Sequence, residues 1–467
     1  MALLCYMVRR SNAVYQRGCQ TIIMLRFKSN KIHLLLLSCL STTYAINASA
    51  NITFQESKHI DPLLGLEFSS SVSSDYGYDD NVFNQNSDHI VGSNYYTIKP
   101  AFSITGHRYT KDFGLYYSGD YRKYTNDVTS YQGSSDQNYS DHNFNGIFKW
   151  ELGLRHHLEL TANYGLGHEA LGTGVTNGFY FDDNSPAEDV ASFDNFQITK
   201  PIEKKDTDFA IKYSYGAKDA KGRIDFSVGQ KRLRYDVLNS YSSTFQTYLE
   251  NENLTESEMS LIFRHSYTHK TCFDYILMYR QYEYLDSTRD NEELLAGVSY
   301  VSQITGKSKI EASITNVQKY MNTTDTSSIN WSVMYKWQPV NYSAIVLKSA
   351  SEVKEPDNTG DYIQSYINSI SWNHEFLGNV STQLSYTHID DKYHIRDRND
   401  EYDYLRLNVT YVFRPRVEFN FEYNYSVYNS SLNSDPLYIN VISGPNLYGR
   451  NLGYEKNQFG LSIKVAI

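Results

Sequence analysis

The 467-residue sequence has few cysteines, few prolines and no long apolar run in its body. Of its 4 cysteines only Cys272 lies beyond residue 40, so the body of the chain has no internal disulfide, and no Cys/His spacing is typical of zinc. No stretch after residue 50 approaches the roughly 20 apolar residues of a spanning helix. A net charge of −10 disfavours nucleic acid as a partner, because nucleic-acid binding needs a basic surface. The sequence is therefore typical of neither a disulfide scaffold, a helical membrane protein nor a nucleic-acid-binding protein.

Catalytic and cofactor-binding patterns are also missing. His156, His157, His265 and His269 have no matching Ser or Cys nucleophile, and the sequence has no Gly-rich phosphate loop and no metal motif. The stretch 388–391 combines His and Asp, but we interpret it as an acidic surface loop. We predict that the protein is not an enzyme and holds no cofactor or metal.

What the sequence has in abundance is tyrosine, with 43 residues, and segments in which apolar and polar residues alternate. The clearest example is 402–428, where two such segments meet at the turn 414–416. Leu405, Leu407 and Val409 share one face of the first segment, and Arg406 and Asn408 share the other. Because side chains alternate across a strand, this stretch predicts an antiparallel hairpin with one apolar and one polar face.

The same alternation recurs in eighteen segments of about nine to fourteen residues, the length at which a tilted strand crosses a bilayer. They cover 63–74, 94–105, 112–124, 142–153, 155–167, 206–217, 221–234, 255–267, 270–284, 292–303, 307–319, 328–338, 341–352, 364–376, 379–389, 402–414, 416–428 and 454–467. Short and mostly long connections alternate between them, as periplasmic turns and extracellular loops do in outer-membrane barrels. A β-propeller or solenoid is the alternative, but no repeated motif supports it.

We therefore predict an all-β fold, a transmembrane antiparallel up-and-down β-barrel of about 18 strands in the outer membrane of a Gram-negative bacterium. The barrel is expected in residues 63–467, after a periplasmic segment 51–62. Residues 24–50 have the basic start, short apolar run and A-x-A ending of a signal peptide, with cleavage after Ala50 favoured over Ala45. Residues 1–23 are interpreted as a mis-assigned start. A lipobox-like sequence before Cys39 leaves lipidation of that cysteine as an alternative.

The polar faces of the segments predict the lining of the barrel. Sixteen to eighteen strands enclose an aqueous channel. Charges of both signs favour a hydrated pore for neutral or weakly charged solutes over an ion-selective one. The alternative is that these residues only solvate the wall and pair with one another. The residues predicted to line the lumen are Asp120, Arg122, Lys212, Asp225, Arg264, Arg280, Arg406, Glu418 and Glu422.

The longest connection, 167–205, is a candidate constriction. Our hypothesis is that it folds into the barrel and narrows the pore, and the alternative is an exposed loop. The aromatic and acidic residues expected at the constriction are Phe179, Tyr180, Phe181, Asp182 and Asp183.

A short motif follows the first segment. Residues 77–83 read Gly-Tyr-Asp-Asp-Asn-Val-Phe. This resembles the Tyr-Asp-Asp-Asn-(Val/Ile)-Phe signature of the β-barrel porin 2 group, which includes EpsL-like outer-membrane proteins of exopolysaccharide operons. The resemblance extends loosely over the mature chain, in size, strand rhythm and Tyr/Asn-rich loops. It implies a barrel that helps to export or assemble an exopolysaccharide or capsular polysaccharide of a biofilm. The motif positions carried over, without an assigned role, are Tyr78, Asp79, Asp80, Asn81 and Phe83.

Two other functions remain open, because Tyr, Asn, Asp and Ser suit both sugars and general solutes. One is a general or sugar-selective diffusion porin, and the other is a structural or adhesive surface barrel. The expected partners are outer-membrane lipid and lipopolysaccharide, the barrel assembly machinery, a polysaccharide or small solute and, for export, polysaccharide-export proteins.

Overall fold

The computed structural model of the protein describes residues 65–86, 90–125, 128–130, 133–181, 188–321, 325–354, 362–376, 378–394, 396–441 and 444–467. The predicted start, signal peptide and periplasmic segment lie outside these residues, as do Cys39 and both candidate cleavage sites. Those assignments remain predictions.

Eighteen strands of the described residues form one closed antiparallel sheet. They are β1 (Leu66–Asp79), β2 (Ser93–Arg108), β3 (Lys111–Tyr124), β6 (Tyr139–Glu151), β7 (His156–Glu169), β8 (Ile202–Tyr215), β9 (Gly222–Tyr235), β10 (Leu254–Thr268), β11 (Thr271–Tyr284), β12 (Asn291–Thr305), β13 (Ser308–Met321), β14 (Thr326–Val340), β15 (Ser343–Lys354), β16 (Ile363–Phe376), β17 (Val380–Tyr393), β18 (Asn399–Arg414), β19 (Val417–Ser430) and β22 (Tyr454–Ala466). Two small hairpins lie between barrel strands, β4 (Val128–Ser130) with β5 (Gly133–Ser135), and β20 (Ser434–Val441) with β21 (Gly444–Asn451). The helix α1 (Ser243–Asn251) follows β9, and two 3-10 turns cover Gly174–Thr176 and Ser287–Arg289.

Neighbouring strands pair in chain order, and the barrel closes where β1 pairs with β22. At this seam Val72 lies opposite Val465 and Tyr78 opposite Phe459. Closure pairs the edges of the sheet, which would otherwise expose unpaired N–H and C=O groups to lipid. The predicted barrel of about 18 strands is confirmed. Most strands extend beyond the predicted segments at their long-loop ends, as β18 does by beginning at Asn399.

The outward face of the barrel is an apolar belt. Phe209, Leu277 and Leu461 represent it, with 50%, 48% and 61% of their surface exposed. The opposite face is concave, because side chains two strands apart meet there. Lys354 on β15 contacts Asp391 on β17 at 2.7 Å. The stretch 388–391 is therefore part of a strand and not the surface loop that we predicted, because its side chains alternate between the two faces of β17. No helix in the described ranges is long and apolar enough to cross a membrane.

Candidate functional site

The inner wall of the barrel between β6 and β13 carries charged residues of both signs, and they pair across neighbouring strands. Arg264 on β10 donates two hydrogen bonds to Asp274 on β11, at 3.0 and 3.2 Å. Lys212 on β8 lies 3.5 Å from Glu159 on β7. The paired residues come from consecutive strands because the register places them opposite one another. We call this region the charged wall.

Arg280 on β11 is the centre of the largest set of contacts on the charged wall. Its Nε lies 3.0 Å from Glu258 and 3.9 Å from Glu256, and its Nη1 lies 3.7 Å from Glu293. Lys319 approaches Glu293 to 3.3 Å from the next strand. Arg280 is only 6% exposed, so its charge is compensated by contacts within the wall.

Three more of the predicted lumen residues lie on the inner face of β3 and β9. The guanidinium of Arg122 stands 4.2 Å from the ring centre of Tyr95 and donates to Thr97 at 3.1 Å. Asp120, two positions along β3, points to the same face. Asp225 accepts a hydrogen bond of 2.7 Å from Arg223.

The remaining predicted lumen residues lie on β18 and β19. Arg406 donates to Asn424 at 2.9 Å, and Glu422 accepts from the same amide group at 2.9 Å. Glu418 lies 4.0 Å from Lys464 of β22. Strands β16 and β17 between this region and the charged wall present mainly hydroxyl and amide groups at mid-height. These groups are Ser369, Ser371, Asn373, Gln383, Ser385 and Thr387.

At the long-loop end of the barrel, apolar side chains from four loops pack together and are buried, and we call this group the outer loop cluster. Phe83 and Phe179 within it have no exposed surface. Phe83 stacks on Phe181 at 4.6 Å, and Phe179 lies 5.3 Å from Phe196. The cluster includes Val82, Phe83, Leu171, Phe179, Phe181, Phe193, Phe196, Ile198, Phe245, Leu249, Leu437 and Ile439.

The outer loop cluster packs on the inner wall. Leu233, Leu254, Tyr282 and Tyr284 belong to the same buried core, and all four lie on the inward face at the loop ends of β9, β10 and β11. The buried core of the loop after β7 thus packs against inward-facing residues at the loop ends of these three strands. Phe179, Tyr180 and Phe181 are in this loop, whereas Asp182 and Asp183 lie outside the described residues.

The loop after β7 also reaches the hairpin before β22. Asn451 donates its N–H to the carbonyl of Gly178 at 2.8 Å, and Ala191 donates to Gly449 at 2.9 Å. Six strands, β22, β1, β2, β3, β6 and β7, separate the roots of these two loops in the barrel order. The contact thus connects distant parts of the outer rim.

The motif residues connect the outer loop cluster to the seam of the barrel, where β1 pairs with β22. Asn81 donates from Nδ2 to the carbonyls of Gln85 at 2.7 Å and Glu455 at 2.9 Å. Asp80 accepts two hydrogen bonds from Asn457 at 2.7 and 2.9 Å, and Asp79 lies 2.9 Å from Lys456.

Phe83 follows these hydrogen-bonded residues and is buried in the outer loop cluster. Tyr78 faces outward, and its ring centre lies 5.7 Å from that of Phe459. The structure thus places Asp79, Asp80 and Asn81 where β1 joins β22, and Phe83 among the aromatic rings of the loop after β7.

Sequence reasoning missed two elements that complete the cluster, α1 and the β20–β21 hairpin. Ser242 caps α1 by accepting from the N–H of Phe245, and Phe245, Tyr248 and Leu249 are buried on one face. Their spacing of three and four residues is a helix signal that the sequence contains. Burial raises the pKa of Tyr241, which precedes the helix and contacts the ring of Phe245 edge to face at 5.3 Å.

This arrangement is that of a barrel with charged and polar groups on its inner wall and a packed core at its outer end. In the described ranges, no group of three His, Cys, Asp or Glu side chains is placed to hold a metal ion. A closed antiparallel barrel with an apolar outer belt, short turns at one end and long loops at the other is an outer-membrane protein of a Gram-negative bacterium. Its short turns face the periplasm and its loops face the cell exterior.

Known proteins give no closer assignment. No family model and no curated protein sequence matches the chain. Among solved structures, OccK1 (OpdK) of Pseudomonas aeruginosa is similar at a TM-score of 0.47 and 10% identity, covering 87% of this chain and 100% of that one. The FrpB iron transporter of Neisseria meningitidis (F5-1 variant) is similar at 0.47 and 10% identity, covering 88% and 83%. OccAB4 of Acinetobacter baumannii gives 0.45 and 10%, covering 86% and 98%.

Proposed function

We propose that the protein is an outer-membrane diffusion channel for hydrophilic solutes, and that the outer loop cluster narrows its opening. One observation carries the proposal. The inner wall carries paired charges and hydroxyl and amide groups, and in the described residues an apolar loop core packs against that wall at its outer end. Charged pairs on the wall keep the interior hydrated without a surplus of one sign, which favours neutral or weakly charged solutes.

Single-channel conductance in planar bilayers tests this proposal. The double variant Phe179→Ala/Phe193→Ala removes two buried rings that lie 6.1 Å apart in the cluster. We expect larger or more frequent openings than in the wild type. Phe209→Ala is the matched control, because Phe209 faces lipid and its loss leaves the cluster intact. A wild-type barrel that passes no current would refute the channel, and equal conductance in all three proteins would refute the constriction.

Export of an exopolysaccharide is a second candidate, proposed from the family resemblance. The hydroxyl and amide patch on β16 and β17 supports it, since such groups hydrogen-bond to sugar hydroxyls. For this function, the outer loop cluster would be a gate at the outer end of the barrel, which an exported polymer must displace. Deleting the gene and measuring polysaccharide inside and outside the cell separates the two functions. Wild-type surface polysaccharide in the deletion strain, together with a conducting barrel, would leave the diffusion channel as the function.

A further inference from the structure

A basic patch lies on the outward face of the barrel, just above the apolar belt. Lys205 on β8 and Arg232 and Arg234 on β9 are exposed. Lys205 is directly opposite Arg234 in the strand pairing, and Arg232 is two residues along on the same face. Paired residues have Cα atoms about 5 Å apart, so the three charges form one compact group.

The height of the patch matches the outer headgroup region. Between Tyr215 at the turn end of β8 and Lys205, ten residues at ~3.3 Å each and a tilt of about 40° give about 25 Å, the height of the lipid-facing belt. Below the patch, Phe209 and Val228 are exposed lipid-facing residues. The patch therefore begins where the belt ends.

The patch differs from other outward positions near the outer rim, where carboxylates are common. Glu283 on β11, Glu292 on β12, Glu401 on β18 and Glu455 on β22 occupy such positions. A nearby acid, Glu203, pairs with Lys200 at 2.6 Å. The rim is thus positive at β8 and β9, although much of it is acidic.

Arg234 is held in position for an anion. Its Nη1 donates to the carbonyls of Leu233 and Leu254 at 2.8 and 2.7 Å, and its Nη2 donates to Thr255 at 2.8 Å. A guanidinium has five N–H donors, so two remain after these three hydrogen bonds. Asp236 approaches Lys205 only to 4.0 Å, at an exposed position where pairing is weak.

We propose that Lys205, Arg232 and Arg234 bind the phosphate groups of lipid A in the outer-leaflet lipopolysaccharide. The patch has the charge, the height and the outward direction that this lipid headgroup requires. Each basic group near an anionic headgroup surface adds a favourable electrostatic contribution that salt screens.

The test is native mass spectrometry of the detergent-purified barrel titrated with lipid A. The variant Lys205→Gln/Arg232→Gln/Arg234→Gln is compared with Lys270→Gln/Lys307→Gln/Arg416→Gln, which loses three exposed charges at the periplasmic turns. We expect lipid A affinity to fall about tenfold or more in the first variant and to stay within about twofold of the wild type in the second. Equal affinity in the first variant and the wild type, or equal losses in both variants, would overturn the proposal.

A second measurement needs no variant. The wild-type barrel should bind lipid A with both phosphates at least tenfold more tightly than lipid A from which both have been removed. Equal affinity for the two lipids would show that the acyl chains alone determine binding, and the proposal would then be wrong.

Discussion

At the scale of single residues, Arg280 is a buried charge that contacts three carboxylates of the charged wall. Arg280→Ala leaves Glu256, Glu258 and Glu293 facing one another without the guanidinium between them. Breaking a buried set of ion pairs in this way costs about 3 kcal/mol. We expect the free energy of unfolding, measured by urea titration in lipid vesicles, to fall by that amount. Arg416→Ala at an exposed turn is the control and should change it by less than about 0.5 kcal/mol.

Gly172 is the residue that allows the closest approach within the outer loop cluster. Its φ is +81°, and a Cβ there would meet the carbonyl oxygen of Phe83 at 1.7 Å. Gly172→Ala therefore requires the loop after β7 to move away from Phe83. Limited proteolysis of intact cells should cleave this loop faster in Gly172→Ala than in the wild type. Gly167→Ala is the matched control, since a Cβ at Gly167 meets open space, and faster cleavage there too would contradict the explanation.

Sequence alternation predicts the face of each side chain but not its partner. Placing Arg264 and Arg280 on one face of a strand needs only the period of two residues. Identifying Asp274 or Glu258 as their partners needs the register between strands, which the sequence does not specify residue by residue. For the same reason, the contribution of Lys319 and Glu293 to the wall was not predicted from the sequence.

At the scale of elements, α1 connects the loop after β9 to the outer loop cluster. Phe245 is fully buried and lies 5.5 Å from Phe196 and 6.0 Å from Phe179. Phe245→Ala removes a buried ring, a change that costs about 3–5 kcal/mol in a packed core. We expect hydrogen exchange to accelerate in 171–181, α1 and β20, and to stay unchanged in the barrel strands. Thr247→Ala is the control: Thr247 is a half-buried residue of the same helix, and its substitution should leave hydrogen exchange in 171–181 unchanged.

The barrel strands were predictable because each has its own periodic pattern, and the hairpin 402–428 shows this most clearly. It forms β18 and β19, with Leu405 opposite Tyr425 and Val409 opposite Phe421 on the outward face. The connection 429–453 reads as a polar loop by the same criterion, yet it contains β20 and β21. These short strands are stabilised by contacts with the loop after β7, which is far away in sequence. Long-range contacts of this kind leave little local signal.

At the scale of the whole molecule, the two ends of the barrel carry opposite charge. Basic residues predominate at the periplasmic turns, whereas carboxylates outnumber basic groups in the described parts of the outer loops. The turn residues are Arg108, Lys111, Arg155, Lys218, Lys221, Lys270, Lys307, Arg414 and Arg416. An acidic opening concentrates cations and a basic opening concentrates anions, so the distribution of charge along the barrel axis is asymmetric.

The opposite charges at the two ends of the barrel predict a rectified ion current, one that is larger at one sign of the voltage than at the other. When the outer side is positive, cations enter through the acidic end and anions through the basic end, so both carriers accumulate in the pore. We expect the current at 0.1 M salt to be larger with the outer side positive than with it negative. The ratio of the two currents should approach one at 1 M salt, because the Debye length falls from about 10 Å to about 3 Å.

Two triple variants test this explanation of the current ratio. Lys270→Gln/Lys307→Gln/Arg416→Gln should reduce the ratio at 0.1 M salt. Lys205→Gln/Arg232→Gln/Arg234→Gln, whose charges face lipid, should change it less. Equal currents at 0.1 M in an oriented bilayer, or a larger current at the opposite sign, would show that the charges at the two ends do not control ion entry.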